Sequence, residues 1–270
     1  MLLEGGHSGL VRLTDTLKTA LSLCARSSSE LLQLVAPHLP IYKETQRLAR
    51  EMQAGTLNQD TGSARIQEAL SRIPSAVAER AAYLSAHEIH TLSLSAVFLS
   101  CFCLESYINT LAYYLFEEAD FLSLIKHGHR SSAEILIDAI ARMTIREKWK
   151  TVSRLRSENG FDPSRPPFQD FHILFKFRDD HVHDKVIAWR PDNESRYNGK
   201  LPEWPSPVDL NHALYAGQTY WNMVQEIHRL TGISQADFHR LYNLRPWEDD
   251  DHHTELRAIA LKYRAAKEPP

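Results

Sequence analysis

The sequence predicts an all-α protein, and three observations carry that prediction. Apolar residues recur at helical spacing in nearly every segment, no alternating strand pattern persists, and the stretches densest in Pro and Gly fall between the periodic segments. The chain has 270 residues, 43% hydrophobic and 24% charged, an ordinary balance for a soluble globular protein with a sizeable core. No repeat of fixed period is visible.

The elements follow in order. Residues 10–35 set Leu10, Leu13, Leu17, Leu21 and Leu31-Leu32 close to one helical face, and Pro37 closes the run. Residues 41–52 and 64–82 read as amphipathic helices, and the polar segment from Gly55 to Gly62 between them reads as a loop. A long apolar helix spans about 90–118, and residues 135–149 form a further helical piece broken near 142–144. The run NGFDPSRPP at 159–167 is irregular, because proline removes donors and Asn-Gly favours a turn. Residues 168–186 form a helix, 190–207 an ordered loop rich in Pro, Gly, Asn and Trp, and 208–230 a final core helix with Gly232 as its cap. A short amphipathic tail helix is expected at 255–266. The organisation is therefore an N-terminal helical extension (1–76), a helical domain (77–245) and a C-terminal tail helix (246–270).

Residues 92–116, LSLSAVFLSCFCLESYINTLAYYLF, are long enough to cross a bilayer. Glu105 and Asn109 lie near the middle, where an unpaired carboxylate in lipid would cost several kcal/mol, and no Lys/Arg cluster flanks either end. We read the segment as the buried core helix of a soluble protein with no membrane partner. Residues 1–7 show no basic segment leading into an apolar one, as a signal peptide would. Cys24, Cys101 and Cys103 are an odd set that suits reduced, buried thiols, and the expected location is cytoplasmic. The formal net charge of −3 excludes a chain that wraps nucleic acid by bulk charge but allows a local grip on a few phosphates.

The stretch FKFRDDHVH at 175–183 carries the candidate chemistry through Arg178, Asp179 and His183. Asp179 and His183 are four apart and share a helical face, whereas Arg178 lies on the side of Leu174 and Phe171, at the edge of the core. Arg178 and His183 are five apart, about 140° around an ideal helix, so one straight helix does not aim both at a single atom. Either the helix ends before His183, or a second copy of the chain completes the site across a two-fold axis. An imidazole of ordinary pKa can take a proton from a ribose 2′-OH or give one to a leaving oxygen, and a guanidinium can brace the phosphate, all without metal. The bland alternative is a helix end where all three side chains are solvated. In the long apolar helix, Glu105 and Asn109 are four apart on one face, and a carboxylate there needs a partner: Arg178 or Lys148.

These residues resemble the signature of HEPN domains: an Arg, then usually Asn, Asp or His, three free positions, and His. The Leu104-Glu105-x-x-Ile108-Asn109 run resembles the first core helix of that family, and Arg146 to Trp149 resembles a further HEPN-like feature. The resemblance covers about residues 92–232; the extension before it matches no named family. It implies a HEPN-like bundle and a metal-independent endoribonuclease, a toxin or phage-defence effector that needs no cofactor and leaves a 2′,3′-cyclic phosphate. Arg178, His183 and Asp179 would be catalytic, with Glu105 and Asn109 supporting. RNA would be the substrate, a homodimer would share the site and concentrate positive charge there, and an antitoxin or defence partner would be in play. Lys185 stands where some HEPN toxins carry a modifiable Tyr, which argues against that mode of regulation. The alternative is a non-catalytic HEPN-like module binding RNA, nucleotide or a protein partner.

No metal site is expected. His181 and His183 diverge on a helix, and the acidic run from Glu248 to His253 reads as a solvated cap before the tail helix. No Gly-rich phosphate loop, zinc-spaced Cys/His set or nucleophile elbow is present, so kinase, NTPase and common hydrolase readings lose support.

Overall fold

A computed structural model describes residues 3–117, 139–155, 157, 160–182, 208–244, 258 and 261. Among these the chain is 85% helical and contains no strand, so the all-α expectation holds. The N-terminal leucine run forms α1 (Leu3–Val35), and the 3-10 turn Ala36–His38 around Pro37 ends it. Helix α2 (Leu39–Gln53) follows.

Two expectations here need correcting. The expected loop up to Gly62 is shorter, because α3 (Gln59–Ser71) starts at Asn58, whose side chain accepts the Asp60 amide at 2.9 Å. Gly62 is buried inside α3, where a Cβ would run into Met52 of α2, so the glycine serves close helix packing. The expected single helix at 64–82 is instead α3 and α4 (Ser75–Tyr83). Pro74 divides them, since it lacks an amide and drives Ile73 out of helical geometry. Helix α4 then continues through a wide π turn, Leu84–Ile89, into the long apolar α5 (His90–Glu117). The Ser75–Ala112 run is long and apolar enough to cross a membrane, with 50% of its most apolar window buried inside the protein.

The break expected near 142–144 is present, and helix α6 (Ile145–Arg154) begins after it with a capping box. The Thr144 hydroxyl accepts the Glu147 amide at 3.3 Å, and Glu147 in return accepts the Thr144 amide at 2.9 Å. These bonds hold the Glu147 carboxyl below its ordinary value. The motif helix is α7 (Phe168–Val182), and the last core helix is α8 (Leu210–Thr231). Gly232, at φ +69°, ends α8 by donating its amide to the His228 carbonyl at 2.9 Å. Helix α9 (Gln235–Leu241) follows, capped by Ser234; its seven residues are too few to show a period in the sequence. The expected loop at 190–207 and nearly all of the expected tail helix lie outside the described residues.

The chain divides into two compact units. One comprises Leu21–Leu94, Pro205–Leu214 and Asp251–Pro270. In it the Cys24 thiol meets the Ser93 hydroxyl at 3.0 Å, Ser27 donates to Glu88 at 2.5 Å, and Arg80 pairs with Glu30 at 2.8 Å. The other comprises Met1–Ala20, Ser95–Trp204 and Tyr215–Asp250. Its core is aromatic: Trp149 packs edge-on to Phe161, and Phe168, Phe171 and Phe175 follow one another with centroids 5.3 and 4.6 Å apart. The candidate site belongs to this second unit.

Candidate functional site

Helix α7 buries Phe171, Leu174, Phe175 and Phe177, and Arg178 follows as the apolar seam ends. Its guanidinium carbon sits 4.6 Å from the centre of the Phe175 ring. Nε and Nη2 donate to Oδ1 of Asp179 at 3.0 and 2.8 Å, and Nη1 lies 3.6 Å from Oε2 of Glu105 on α5. The Arg178 side chain is 22% exposed, while Glu105 is 45% exposed. The guanidinium is thus fixed from one side by a ring and from the other by two carboxylates. Among the described residues this cluster sets one cation against two anions.

The partner of Glu105 is Arg178, one of the two candidates. Lys148, the other, is buried and donates instead to Oδ1 of Asn109 at 2.9 Å. Cys101, Glu105 and Asn109 follow one another at intervals of four along α5, which turns them all to one side of the helix. Burial pushes the Cys101 thiol up to about 12, with the Asp179 and Glu105 carboxylates adding to the rise and Arg178 opposing it. Arg178, Asp179 and Glu105 therefore converge, and Asn109 lies one turn further along α5, engaged with Lys148. His183 and Lys185 lie outside the described residues, as does the acidic run at 248–253. Among the described residues no group of three or more His, Cys, Asp or Glu side chains is placed to hold a metal ion.

Sequence reasoning missed a second polar arrangement. The Tyr107 hydroxyl, on α5, lies 2.6 Å from Nε2 of His228 and 3.1 Å from Nε2 of His239, and all three residues are buried. Nδ1 of His228 lies 3.0 Å from the Ile233 carbonyl, which can only accept, so that nitrogen carries the proton. Nε2 of His228 then accepts from Tyr107, and Nε2 of His239 donates to the phenol oxygen. Burial lowers the pKa of both imidazoles; that of His239, further lowered by His228 and Lys18, falls to about 4. Both rings are neutral at pH 7. Two separate histidines and a tyrosine on a core helix carry no spacing signal, so nothing in the sequence announced this network.

No family model matches the chain, and comparisons with curated proteins and with solved structures find no match. The likeness to HEPN domains rests on the residues themselves.

Proposed function

We propose that the protein is a soluble, cytoplasmic, metal-independent endoribonuclease of the HEPN type, a toxin or phage-defence effector whose site is shared between two copies of the chain. The observation that supports this most is the fixing of Arg178 between the Phe175 ring and two carboxylates, five residues before His183. In this reading His183 takes the proton from a ribose 2′-OH, and the freed oxygen attacks the adjacent phosphorus. Arg178 donates hydrogen bonds to the non-bridging oxygens as charge builds, and the 5′-oxygen leaves with a proton from the second His183 of the dimer. The products are a 2′,3′-cyclic phosphate and a free 5′-hydroxyl. Asp179 and Glu105 hold the guanidinium plane, and Asn109 with Lys148 secures the α5 side.

The test is RNA cleavage in EDTA. The wild type cleaves, and His183→Ala and Arg178→Ala each lose at least about 100-fold. Equal cleavage by wild type and His183→Ala removes that residue from the mechanism. A strict monomer in light scattering that still cleaves defeats the shared site. A second reading, a non-catalytic module that binds RNA, nucleotide or a protein partner, draws on the fact that both carboxylates already occupy Arg178; absence of cleavage on any RNA favours it.

A further inference from the structure

Among the described residues Arg178 is matched by two carboxylates, so a further source of positive charge would help to hold a polyanion. Helix α6 supplies a face for it. Arg146, Lys150 and Arg154 stand at intervals of four, which keeps them along one side of the helix with about 6 Å of rise per step. Arg154 is exposed and Arg146 and Lys150 are part-exposed, whereas Lys148, Trp149, Val152 and Ser153 of the same helix are buried. Among the described residues no carboxylate stands within ion-pair distance of any of the three. Glu147, the acidic residue nearest in sequence, is committed to the Thr144 cap. The Lys150 ammonium sits 5.5 Å from the Phe168 ring centre, which ties α6 to the start of α7.

Helix α7 adds His172 and Lys176, again four apart. Partial burial and then the charges of Arg146, Lys150 and Lys176 lower the His172 pKa, so the imidazole feels the charge of all three cations. Lys176 and Arg178 are two apart, about 160° around the helix, so this basic face turns away from the Arg178 cluster. Lys176 is paired with Asp180 at 2.6 Å and Lys150 acts on the nearby Glu147 carboxylate, whereas Arg146 and Arg154 take part in no ion pair among the described residues.

We infer that the Arg146–Lys150–Arg154 face of α6, together with His172 and Lys176 of α7, binds the phosphodiester backbone of single-stranded RNA. The choice of RNA as the polyanion rests on the function proposed above. Arginine forks grip phosphate oxygens in pairs, a line of cations along one helix face can follow successive phosphates, and a neutral imidazole among them offers a flat face and a hydrogen bond to a nucleoside. Such binding carries no base code and weakens steeply with salt.

The experiment measures fluorescence anisotropy of the full chain with a 2′-O-methyl RNA of about 12 nucleotides, which cannot be cleaved because its nucleophile is capped. The wild type binds, and the triple variant R146A/K150A/R154A binds at least about tenfold more weakly, with the slope of log affinity against log salt reduced by about 2. Lysine at 146 and 154 restores most of the affinity. Equal binding by wild type and triple variant overturns the inference and leaves the ribonuclease reading untouched, since cleavage in EDTA is scored separately with His183→Ala. Loss of binding in the triple variant, with no cleavage by the wild type, sustains this surface and removes the nuclease. No binding by the wild type, or tighter binding to polyglutamate than to RNA, overturns the inference. If the triple variant does not give the wild-type circular dichroism spectrum, Arg154→Glu on the exposed end of α6 carries the same expectation.

Discussion

Two polar groups in the same unit treat burial in opposite ways. The Tyr107–His228–His239 network is closed: its oriented chain runs from imidazole to phenol to imidazole to the Ile233 carbonyl, and none of its members carries charge at pH 7. The Arg178 cluster is open: its charges are only part-buried, its carboxylates outnumber its cation, and it lies where the apolar seam of α7 ends. A closed neutral network can hold α5, α8 and α9 together but cannot exchange protons with a substrate. An open charged cluster contributes little to folding and can rearrange when a phosphate arrives. Histidine burial alone is therefore a poor guide to chemistry in this chain.

The sharpest way to break the closed side is acid. The His239 pKa lies near 4 in the folded chain against about 6.5 when unfolded, so as pH falls the unfolded chain takes up its proton first. Stability is whole above about pH 6.5 and declines toward pH 4, by on the order of 3 kcal/mol from this residue, with His228 adding in the same direction. Urea unfolding midpoints at a series of pH values read this; a midpoint that does not move between pH 7 and 4.5 would refute it. Next in size is Tyr107→Phe, which keeps the ring and strands two imidazole nitrogens. It should cost about 1–3 kcal/mol in thermal or denaturant unfolding while leaving any RNA cleavage unchanged. A variant as stable as wild type would mean that the network does not tie the helices. The smallest effect belongs to the open side. Glu105→Gln keeps the shape and removes one half-exposed charge, so stability should change by less than about 1 kcal/mol. If Glu105 positions Arg178, the variant nonetheless lowers RNA cleavage; a change in stability well above that limit, with cleavage unaltered, would recast Glu105 as a structural anchor.

Much of the fold was legible because its punctuation is local. Pro37 ends α1, Thr144 and Glu147 spell a capping box, and Gly232 ends α8, each through backbone groups a few residues away. Gly62 misled because its polar neighbourhood resembles a turn, whereas its reason is Met52 on another helix, a contact no local window contains. The apolar period ran on across Pro74 and hid the division between α3 and α4. The same logic divides the site. Arg178 and Asp179 are sequence neighbours and could be read as a pair, and Glu105 needed a cation, so chemistry narrowed its partner to two. Geometry then selected Arg178 and gave Lys148 to Asn109. Tyr107, His228 and His239 meet across 121 and 132 residues of chain, and only the folded backbone brings them together.

The three cysteines have a practical consequence. Cys24, Cys101 and Cys103 are all buried, and burial raises their thiols to about 11, 12 and 12, so the native chain offers alkylating reagents almost no thiolate. The wild-type protein is thus already a blank for thiol labelling. A cysteine placed at exposed Ser63 on α3 or at exposed Arg154 on α6 would be the single reactive thiol, and the two together would carry a dye pair. Because Ser63 and Arg154 belong to different compact units, that pair would read the distance between one site in each.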